Sequence, residues 1–178
     1  MPGPEFLAGE TVSLRTIEEE DLDFLQEAVN DPAVWRGIGR SAPVNQQQEE
    51  SFFEDIVCDE ESINLLITVD EIPVGTVGLG EPTQDVRKAE LGYWVAPDHH
   101  RNGYGSEAAE LLVDYGFTDR NLHRIEARAF EFNTGSQRLL EGLGFTNEGA
   151  LRDAHFAHGE YQDILWYGIL AEEWTGRE

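Results

Sequence analysis

The chain has 178 residues, of which 40% are hydrophobic, and it carries 36 Asp and Glu residues against 12 Lys and Arg residues. The formal net charge of −24 excludes the basic surface that neutralises nucleic-acid phosphates, and an anionic membrane would repel the chain. We therefore expect neither nucleic acid nor a membrane as a partner. The length and the hydrophobic content predict one folded domain over residues 1–178.

Three features of the sequence favour a cytoplasmic protein. No hydrophobic run approaches the ~18 residues of a membrane-spanning helix. Residues 1–5 lack the basic and hydrophobic regions of a signal peptide. Cys58 is the only cysteine, so neither an internal disulfide nor a cysteine-based metal cage is available. Because no set of His, Asp and Glu residues has metal-ligand spacing either, we predict no metal.

The negative charge is spread along the chain rather than gathered in a tail. Eleven of the twelve basic residues are arginine, and Lys88 is the only lysine. Distributed like charges repel one another at low ionic strength, whereas ~1 M salt reduces the Debye length to ~3 Å. This composition resembles that of cytoplasmic proteins from salt-accumulating halophiles. The alternative is an ordinary acidic protein of a mesophile.

The hydrophobic periodicity predicts elements in the order β-α-α-β-β-β-α-β-α-β-β. The predicted strands cover residues 11–17, 63–69, 74–80, 89–95, 124–130, 145–151 and 161–170. The predicted helices cover about 19–29, 45–57, 103–120 and 134–143, and a loop that contains Trp35 separates the first two. This order implies an α/β (α+β) fold in which a mixed sheet packs on helices.

A polar loop with two glycines joins the strand that ends at Val95 to the helix that begins near Gly103. Glycines let backbone N–H groups approach a ligand, and the free N–H groups of a helix N-terminus attract anions such as pyrophosphate. Arg101 would add positive charge there, and Ser106 one further donor. The same spacing also fits a tight turn without a ligand, and the segment is neither a P-loop nor a Rossmann fingerprint.

A second polar segment begins at Asn133, where a predicted strand ends and a helix starts. Ser136 shares the i, i+3, i+4, i+7 pattern with Leu139, Leu140 and Leu143, so we expect its side chain on the buried face. A serine in that position often bonds back to a carbonyl of its own helix. The position alone therefore does not define a site.

The two segments, whose anchors Gly105 and Asn133 lie 28 residues apart, resemble those of the GNAT N-acetyltransferases. The resemblance extends from about Leu7 to Trp174 and implies a mostly antiparallel central sheet of about seven strands flanked by about four helices. It is strongest to the branch that acetylates ribosomal-protein alanines. The residues shared with that branch are Gly92-Tyr93-Trp94, Glu107-Ala108, Asn133 with Ser136, Glu148 with Arg152, and Gly159 with Asp163.

The resemblance implies acetyl-CoA as the co-substrate. Its pyrophosphate would bind the glycine loop, and its pantetheine arm would lie along the strand that ends at Val95. That strand should splay from its neighbour, residues 124–130. The residues that the resemblance assigns to cofactor binding are Tyr93, Trp94, Val95, His100, Arg101, Asn102, Gly103, Tyr104, Gly105, Ser106 and Asn133. His100 fills a position that usually holds Gln or Arg, a departure for which backbone donors would compensate.

The implied reaction is direct attack of an amine on the acetyl thioester, with the oxyanion stabilised by a backbone N–H of the strand. Ser136 is the candidate acid for the leaving thiolate, because Leu140 fills the position where many family members have a tyrosine. The first candidate base is His155, expected in a loop three residues after Arg152, and the second is Glu90.

The acceptor implied by the resemblance is a primary amine, and the branch favours the α-amine of a protein N-terminus. A polyamine, an antibiotic or another small amine is the alternative acceptor. A catalytically silent acyl-CoA-binding module is the alternative function. Trp35 would either line the acceptor channel or pack in the core. Both a monomer and a homodimer are compatible with the sequence.

The charge distribution predicts that folding depends on salt. Exposed pairs contribute only ~0.2–1 kcal/mol each, but a few dozen repulsive pairs rival the ~5–15 kcal/mol that stabilises a domain. The melting temperature, followed by calorimetry, should rise steadily from about 0.1 M to about 3 M KCl, and the rise should begin well below about 1 M, where screening acts. A flat melting temperature over that range would contradict the halophilic interpretation and leave the acetyltransferase interpretation intact.

Overall fold

The computed structural model describes residues 2–83 and 85–176, and eight strands within them form one sheet. The strands are β1 (Glu5–Ala8), β2 (Ser13–Thr16), β3 (Ile63–Val69), β4 (Ile72–Thr83), β5 (Lys88–Val95), β6 (Arg124–Phe130), β7 (Thr146–Ala157) and β8 (Glu160–Leu170). Their order across the sheet is β1-β2-β3-β4-β5-β6-β8-β7, and every neighbouring pair is antiparallel except β5 and β6. The predicted mixed, mostly antiparallel sheet is therefore confirmed.

Five α-helices flank the sheet in the described part of the chain. They are α1 (Leu22–Val29), α2 (Pro32–Gly37), α3 (Gln46–Phe52), α4 (Tyr104–Thr118) and α5 (Thr134–Gly142). A π-helical turn, Phe53–Val57, continues α3. None of the described helices is long and apolar enough to cross a membrane.

The hydrophobic core lies on both faces of the sheet. Leu112 of α4 and Leu140 of α5 are fully buried against the strands, among them Ile125 of β6. A smaller cluster on the other face joins Leu25 of α1 to Leu66 of β3. Replacing such a buried leucine by alanine typically costs ~2–5 kcal/mol, so each of these helices is held mainly by its packed face.

The described residues contain one strand and one helix more than the seven strands and four helices that the sequence predicted. Strand β1 has only four residues, none of them fully buried, so it lacks the alternation that marks a strand. Helix α2 begins at Pro32 and lies in the segment around Trp35 that the sequence predicted to be a loop. Proline is favoured at the first position of a helix, and the Asp31 side chain caps α2 by accepting a hydrogen bond from the Ala33 N–H at 2.7 Å.

The parallel pair β5–β6 separates after three residues. Lys88 pairs with Arg124, Ala89 with Ile125, and Glu90 with Glu126, and no later pair forms. Each strand nevertheless remains paired on its other side, β5 with β4 as far as Val95 and β6 with β8 as far as Phe130. The predicted splay is confirmed, and it leaves a gap in the middle of a continuous sheet.

Charged side chains join the strands where β5 and β6 still pair. The Lys88 ammonium group lies 2.7 Å from Glu126, and the Arg124 guanidinium group donates to both Glu126 and Glu148 of β7. The hydrogen bond from Arg124 holds the pKa of Glu148 below its usual range. This network therefore ties four charged groups across three strands at the closed end of the gap.

The Glu148 pKa predicts a pH-dependent loss of stability. A carboxylate whose pKa is lowered by folding stabilises the protein above its unfolded-state pKa of about 4.3, and this contribution disappears as the pH falls through the folded-state value. Because the Glu148 side chain is 40% exposed, the contribution should stay below about 1 kcal/mol. Glu148→Gln should lower the melting temperature at about pH 7 by roughly 2–4 °C or less, and the difference from the parent should shrink progressively as the pH falls below about 4.

The matched control is Glu160→Gln at the exposed start of β8, where Glu160 has no ion pair with another described residue. Removing one negative charge from an acidic protein without breaking a pair should leave its melting temperature unchanged or raise it. Equal melting temperatures for the two variants at neutral pH would contradict a stabilising role for the Arg124–Glu148 pair.

Candidate active site

The gap between β5 and β6 opens into a cavity of about 930 Å³. Its walls come from the free part of β5, the end of β6, and α2 with the two residues that follow it (residues 32–39, the α2 segment). The N-terminal ends of α4 and α5 and one position each of β7 and β8 complete them. The predicted site residues that line it are Glu90, Tyr93, Trp94, Val95, His100, Arg101, Gly103, Tyr104, Gly105, Ser106, Asn133, Ser136 and His155. One cavity thus brings together every predicted site residue except Asn102.

The glycine loop presents free backbone donors to this cavity. Gly103 adopts a left-handed conformation with φ of 82° and caps α4 without a side-chain bond. The N–H groups of Tyr104, Gly105 and Ser106 form the first turn of this 15-residue helix and have no acceptor among the described residues. Arg101 is exposed beside them and forms no ion pair with a described residue, so the loop suits an anion.

Two side chains hold the loop in its conformation through hydrogen bonds to backbone carbonyls. The His100 Nε2 atom donates a hydrogen bond to the Val95 carbonyl at 2.7 Å, which ties the loop to the end of β5. The Asn102 amide donates to the carbonyls of His99 and His100 at 3.1 and 3.3 Å. Asn102 does not line the cavity, so its position indicates loop closure instead of direct ligand contact.

The start of α5 is fixed by its cap. The Asn133 side chain accepts a hydrogen bond from the Ser136 N–H at 3.2 Å. The Ser136 hydroxyl lies 2.7 Å from the Tyr93 hydroxyl, which reaches it from β5 across the gap. Burial raises the pKa of Tyr93 to about 12, so this phenol is neutral at physiological pH.

The side chains of Tyr93 and Trp94 point to opposite faces of β5, as strand geometry requires. Tyr93 packs against the main core, whereas the Trp94 ring packs against Phe24 of α1 with centroids 5.9 Å apart. Past Glu90, the edge of β5 that faces the gap has no strand partner among the described residues. Its backbone groups are available to an extended ligand.

The two candidate bases have different surroundings. Glu90 is the last residue of β5 that pairs with β6, and its carboxylate accepts a hydrogen bond from Arg128 Nε at 2.6 Å. The Arg128 guanidinium also lies over the Trp166 ring, 5.4 Å from the centroid. The Glu90 carboxylate is therefore already engaged in an ion pair, so it is less available to an incoming amine than an unpaired side chain.

His155 lies in strand β7, not in a loop as the sequence predicted. The pairing with β8 shifts register between Leu151 and His155, and Asp153 takes a φ of 50°. This bulge interrupts the alternation of side chains between the two faces of the sheet, which is why the sequence predicted a strand that ends at Leu151. The half-buried His155 ring stacks on Phe130 with centroids 4.3 Å apart and makes no hydrogen bond to a described residue.

The α2 segment closes the cavity opposite Phe130. Gly39 has a φ of 76°, and a Cβ atom there would lie 2.5 Å from Phe130 Cζ, so only glycine allows this close approach. Trp35 does not line the cavity. It is half-buried, and the Arg36 guanidinium lies 4.7 Å from its ring centroid.

The charge of the cavity is opposite to that of the protein. The basic and imidazole side chains on its wall are Arg101, Arg128, Arg138, His99, His100 and His155. Among the described lining residues only Glu90 is acidic, and Arg128 already pairs with it. In a chain with 36 acidic residues, this local reversal indicates a site for an anionic ligand.

Sequence reasoning missed several wall residues. Arg128, Phe130 and Arg138 were not predicted. The segment that contains Trp35 does line the cavity, but through Gly37, Ile38, Gly39 and neighbouring residues and not through Trp35 itself. The scarcity of basic residues could have revealed Arg138. The chain has only 12 of them, and this arginine comes two residues after Ser136, a predicted site residue.

Within residues 2–83 and 85–176, no group of three His, Cys, Asp or Glu side chains is arranged to hold a metal ion.

Comparison with known proteins identifies the family. Residues 11–146 match the model of the acetyltransferase (GNAT) domain. The N-acetyltransferase p20 of Bacillus licheniformis, itself uncharacterised, is 36% identical over 97% of this chain and 99% of its own length. YdaF of Bacillus subtilis, provisionally named a ribosomal N-acetyltransferase, is 27% identical over 95% of this chain and 96% of its own.

A solved structure supports the same conclusion. The spermidine N-acetyltransferase of Vibrio cholerae, crystallised with CoA and spermine, superposes with a TM-score of 0.86 at 26% identity, covering 93% of this chain and 98% of its own. The chain belongs to the GNAT family of acetyltransferases, and its activity class is N-acetyl transfer.

Proposed function

We propose that the protein transfers an acetyl group from acetyl-CoA to the α-amine of a protein N-terminus, as in ribosomal-protein alanine acetylation. The observation that carries this proposal is the cavity wall, which holds six basic or imidazole side chains and a single, already paired carboxylate. Such a wall suits a polyanionic donor and an acceptor that carries no more than one positive charge.

The donor end fits acetyl-CoA. The free N–H groups of Tyr104, Gly105 and Ser106 would hold the pyrophosphate, with Arg101 and Arg138 as nearby countercharges. The unpaired edge of β5 would receive the pantetheine amides in the manner of an added strand. The CoA-bound relative with the same fold supports this assignment.

The acceptor end of the cavity favours an α-amine over a polyamine. A polyamine carries several ammonium groups, and burying them without partners is costly, so a polyamine site needs several carboxylates. The wall formed by Gly39, Phe130, His155 and Ile164 has none, and the Glu90 carboxylate is held by Arg128. A single α-amine with a reference pKa near 7.7–8 needs only one weak base and no counterion array.

In the proposed mechanism, His155 removes the proton of the attacking amine. The amine nitrogen then attacks the thioester carbonyl, and a backbone N–H of β5 stabilises the oxyanion. Ser136 donates a hydrogen bond to the leaving thiolate.

We further propose a salt-rich cytoplasm as the working compartment, which the charge of −24 supports. The absence of a metal and the monomeric or homodimeric state stay predictions.

The experiment that tests the function compares acceptors. Release of CoA from acetyl-CoA should be measured in high salt with peptides that begin with alanine or serine, with the same peptides acetylated at the N-terminus, and with spermidine. The free peptides should be turned over far faster than spermidine, and the blocked peptides should be inert. Faster turnover of spermidine would establish the alternative acceptor, and binding of acetyl-CoA without turnover of any amine would indicate a silent module.

Gly105→Val should weaken binding of acetyl-CoA. Gly105 lines the cavity, and a Cβ atom there would already contact Val95 at 3.4 Å and Leu139 at 3.5 Å, so the further methyl groups of valine would crowd the backbone donors of the loop. We expect the Kd measured by calorimetry to rise by about tenfold or more, equivalent to ~1.4 kcal/mol. Gly142→Val is the control, because Gly142 has no atom within 4 Å of its Cβ position. An unchanged Kd in Gly105→Val would show that the cleft is not the cofactor site.

His155→Ala should lower kcat far more than it weakens acetyl-CoA binding, because loss of a general base typically costs ~10²–10⁴ in rate. The ascending limb of the pH profile of kcat/KM should also disappear. His158→Ala is the matched control, since His158 packs against Phe132 and does not line the cavity. If Glu90→Gln and not His155→Ala abolishes the limb, the base is Glu90.

A further inference from the structure

Tyr93 and Ser136 meet across the cleft from two different elements. Their hydroxyl oxygens lie 2.7 Å apart, the usual length of an O–H···O hydrogen bond, and both residues line the cavity. The other α5 residues on the cavity wall, Gly135, Arg138 and Leu139, have no hydroxyl. Ser136 is therefore the hydroxyl that α5 offers to a ligand, and Tyr93 is its nearest polar partner from β5.

The bonding of Ser136 differs from that of an ordinary helical serine. Such a serine commonly donates its hydroxyl hydrogen to the carbonyl four residues earlier. Here the Phe132 carbonyl accepts from the Thr134 N–H at 3.1 Å, and the Ser136 hydroxyl bonds to Tyr93 instead. The Tyr93 hydroxyl has two acceptors on Ser136, the Oγ atom at 2.7 Å and the backbone carbonyl at 3.4 Å, and the shorter distance favours Oγ. A hydroxyl has one hydrogen and can accept two bonds, so an accepted bond from Tyr93 leaves the Ser136 hydrogen free.

We propose that Tyr93 is a positioning residue for acetyl transfer: its phenolic O–H donates to Ser136 Oγ, so that the Ser136 hydrogen points into the cavity and bonds to the departing CoA thiolate. The inference rests on the proposed function, since it needs a thiolate to form in this cavity. It assigns a task to the Tyr93 side chain beyond the cofactor contact that the resemblance implied for this residue.

The proton balance favours positioning over proton relay. The C–N bond forms, the C–S bond breaks with its electron pair on sulfur, and the proton that leaves the amine for the base ends on the thiol. Tyr93 and Ser136 keep their protons throughout. A thiol has a pKa of about 8.5, well below the value of about 12 that burial gives Tyr93. The thiolate is thus too weak a base to take the phenol proton, and a hydrogen bond is what the pair can supply.

A double-mutant cycle tests the proposal. Tyr93→Phe keeps the packed ring and removes only the donor, so kcat should fall by about tenfold while the Kd of acetyl-CoA stays within about twofold. Losing a direct oxyanion-type donor costs about 10²–10³ in rate, so Ser136→Ala should reduce kcat further. In the Ser136→Ala background, Tyr93→Phe should have no additional effect. An equal loss in both backgrounds would indicate that Tyr93 acts only through packing, and the proposal would be wrong.

The leaving group supplies an independent measurement. A truncated acetyl thioester of an aromatic thiol releases a more stable thiolate, which depends less on a hydrogen bond from Ser136. The decrease in kcat caused by Tyr93→Phe should therefore be smaller with this donor than with acetyl-CoA. The pH profile of Tyr93→Phe should keep the parental shape up to about pH 9, because a phenol of high pKa does not titrate there. The proposal is wrong if Tyr93→Phe lowers kcat as much with the aromatic thioester as with acetyl-CoA. It is also wrong if the pH profile of Tyr93→Phe loses an alkaline limb that the parent has.

Tyr161→Phe is the matched control, because Tyr161 is 67% exposed and lies outside the cavity wall. The failure of this inference is distinct from the failure of the proposed function. A parent protein without acetyl-CoA turnover would refute the function. A parent that turns over normally beside a fully active Tyr93→Phe would refute only the positioning role.

Discussion

The separation of β5 from β6 after Glu90 is the constraint on which the remaining architecture depends. Three paired residues hold the strands together, and the charged network around Arg124 secures that closed end. Beyond it, each strand is kept in the sheet by its outer neighbour, so the gap does not collapse. Helices α4 and α5 then begin at the open end of the gap, where their N-termini become the walls of one cavity.

The cavity also concentrates positive charge where the fold exposes backbone donors. The free N–H groups of α4 share the cavity wall with Arg101 and Arg138, which suits an anion. The Glu90–Arg128 ion pair has no net charge and lies where β5 and β6 separate. The polar pair of Tyr93 and Ser136 lies between these regions. Under the proposed function, the acetyl donor and the amine acceptor would occupy opposite ends of this single cleft, with the reacting atoms between them.

The sequence was sufficient where local patterns determine local structure, and it failed where tertiary contacts decide. The glycine loop and the helix start after Asn133 were predicted, because strand ends and helix starts have strong local signals. The splay of β5 was predicted from the family resemblance and not from a local pattern. Pro32 was ambiguous, since proline both ends one helix and begins another. The bulge near Asp153 hid the strand position of His155, and Arg128 and Arg138 join the cavity only through contacts between distant segments.

The contrast between an acidic exterior and a cationic cavity has a kinetic consequence. A polyanionic ligand must cross the long-range repulsive field of a protein with a net charge of −24 before it reaches the short-range attraction of the cleft. Added salt screens the distant field first, because the Debye length shrinks from ~30 Å to ~10 Å between ~0.01 M and ~0.1 M. Association should therefore accelerate with salt, whereas dissociation is governed by contacts that lie within a few ångströms and respond less. The exterior thus acts as a diffusion barrier whose height is set by the ionic strength of the compartment.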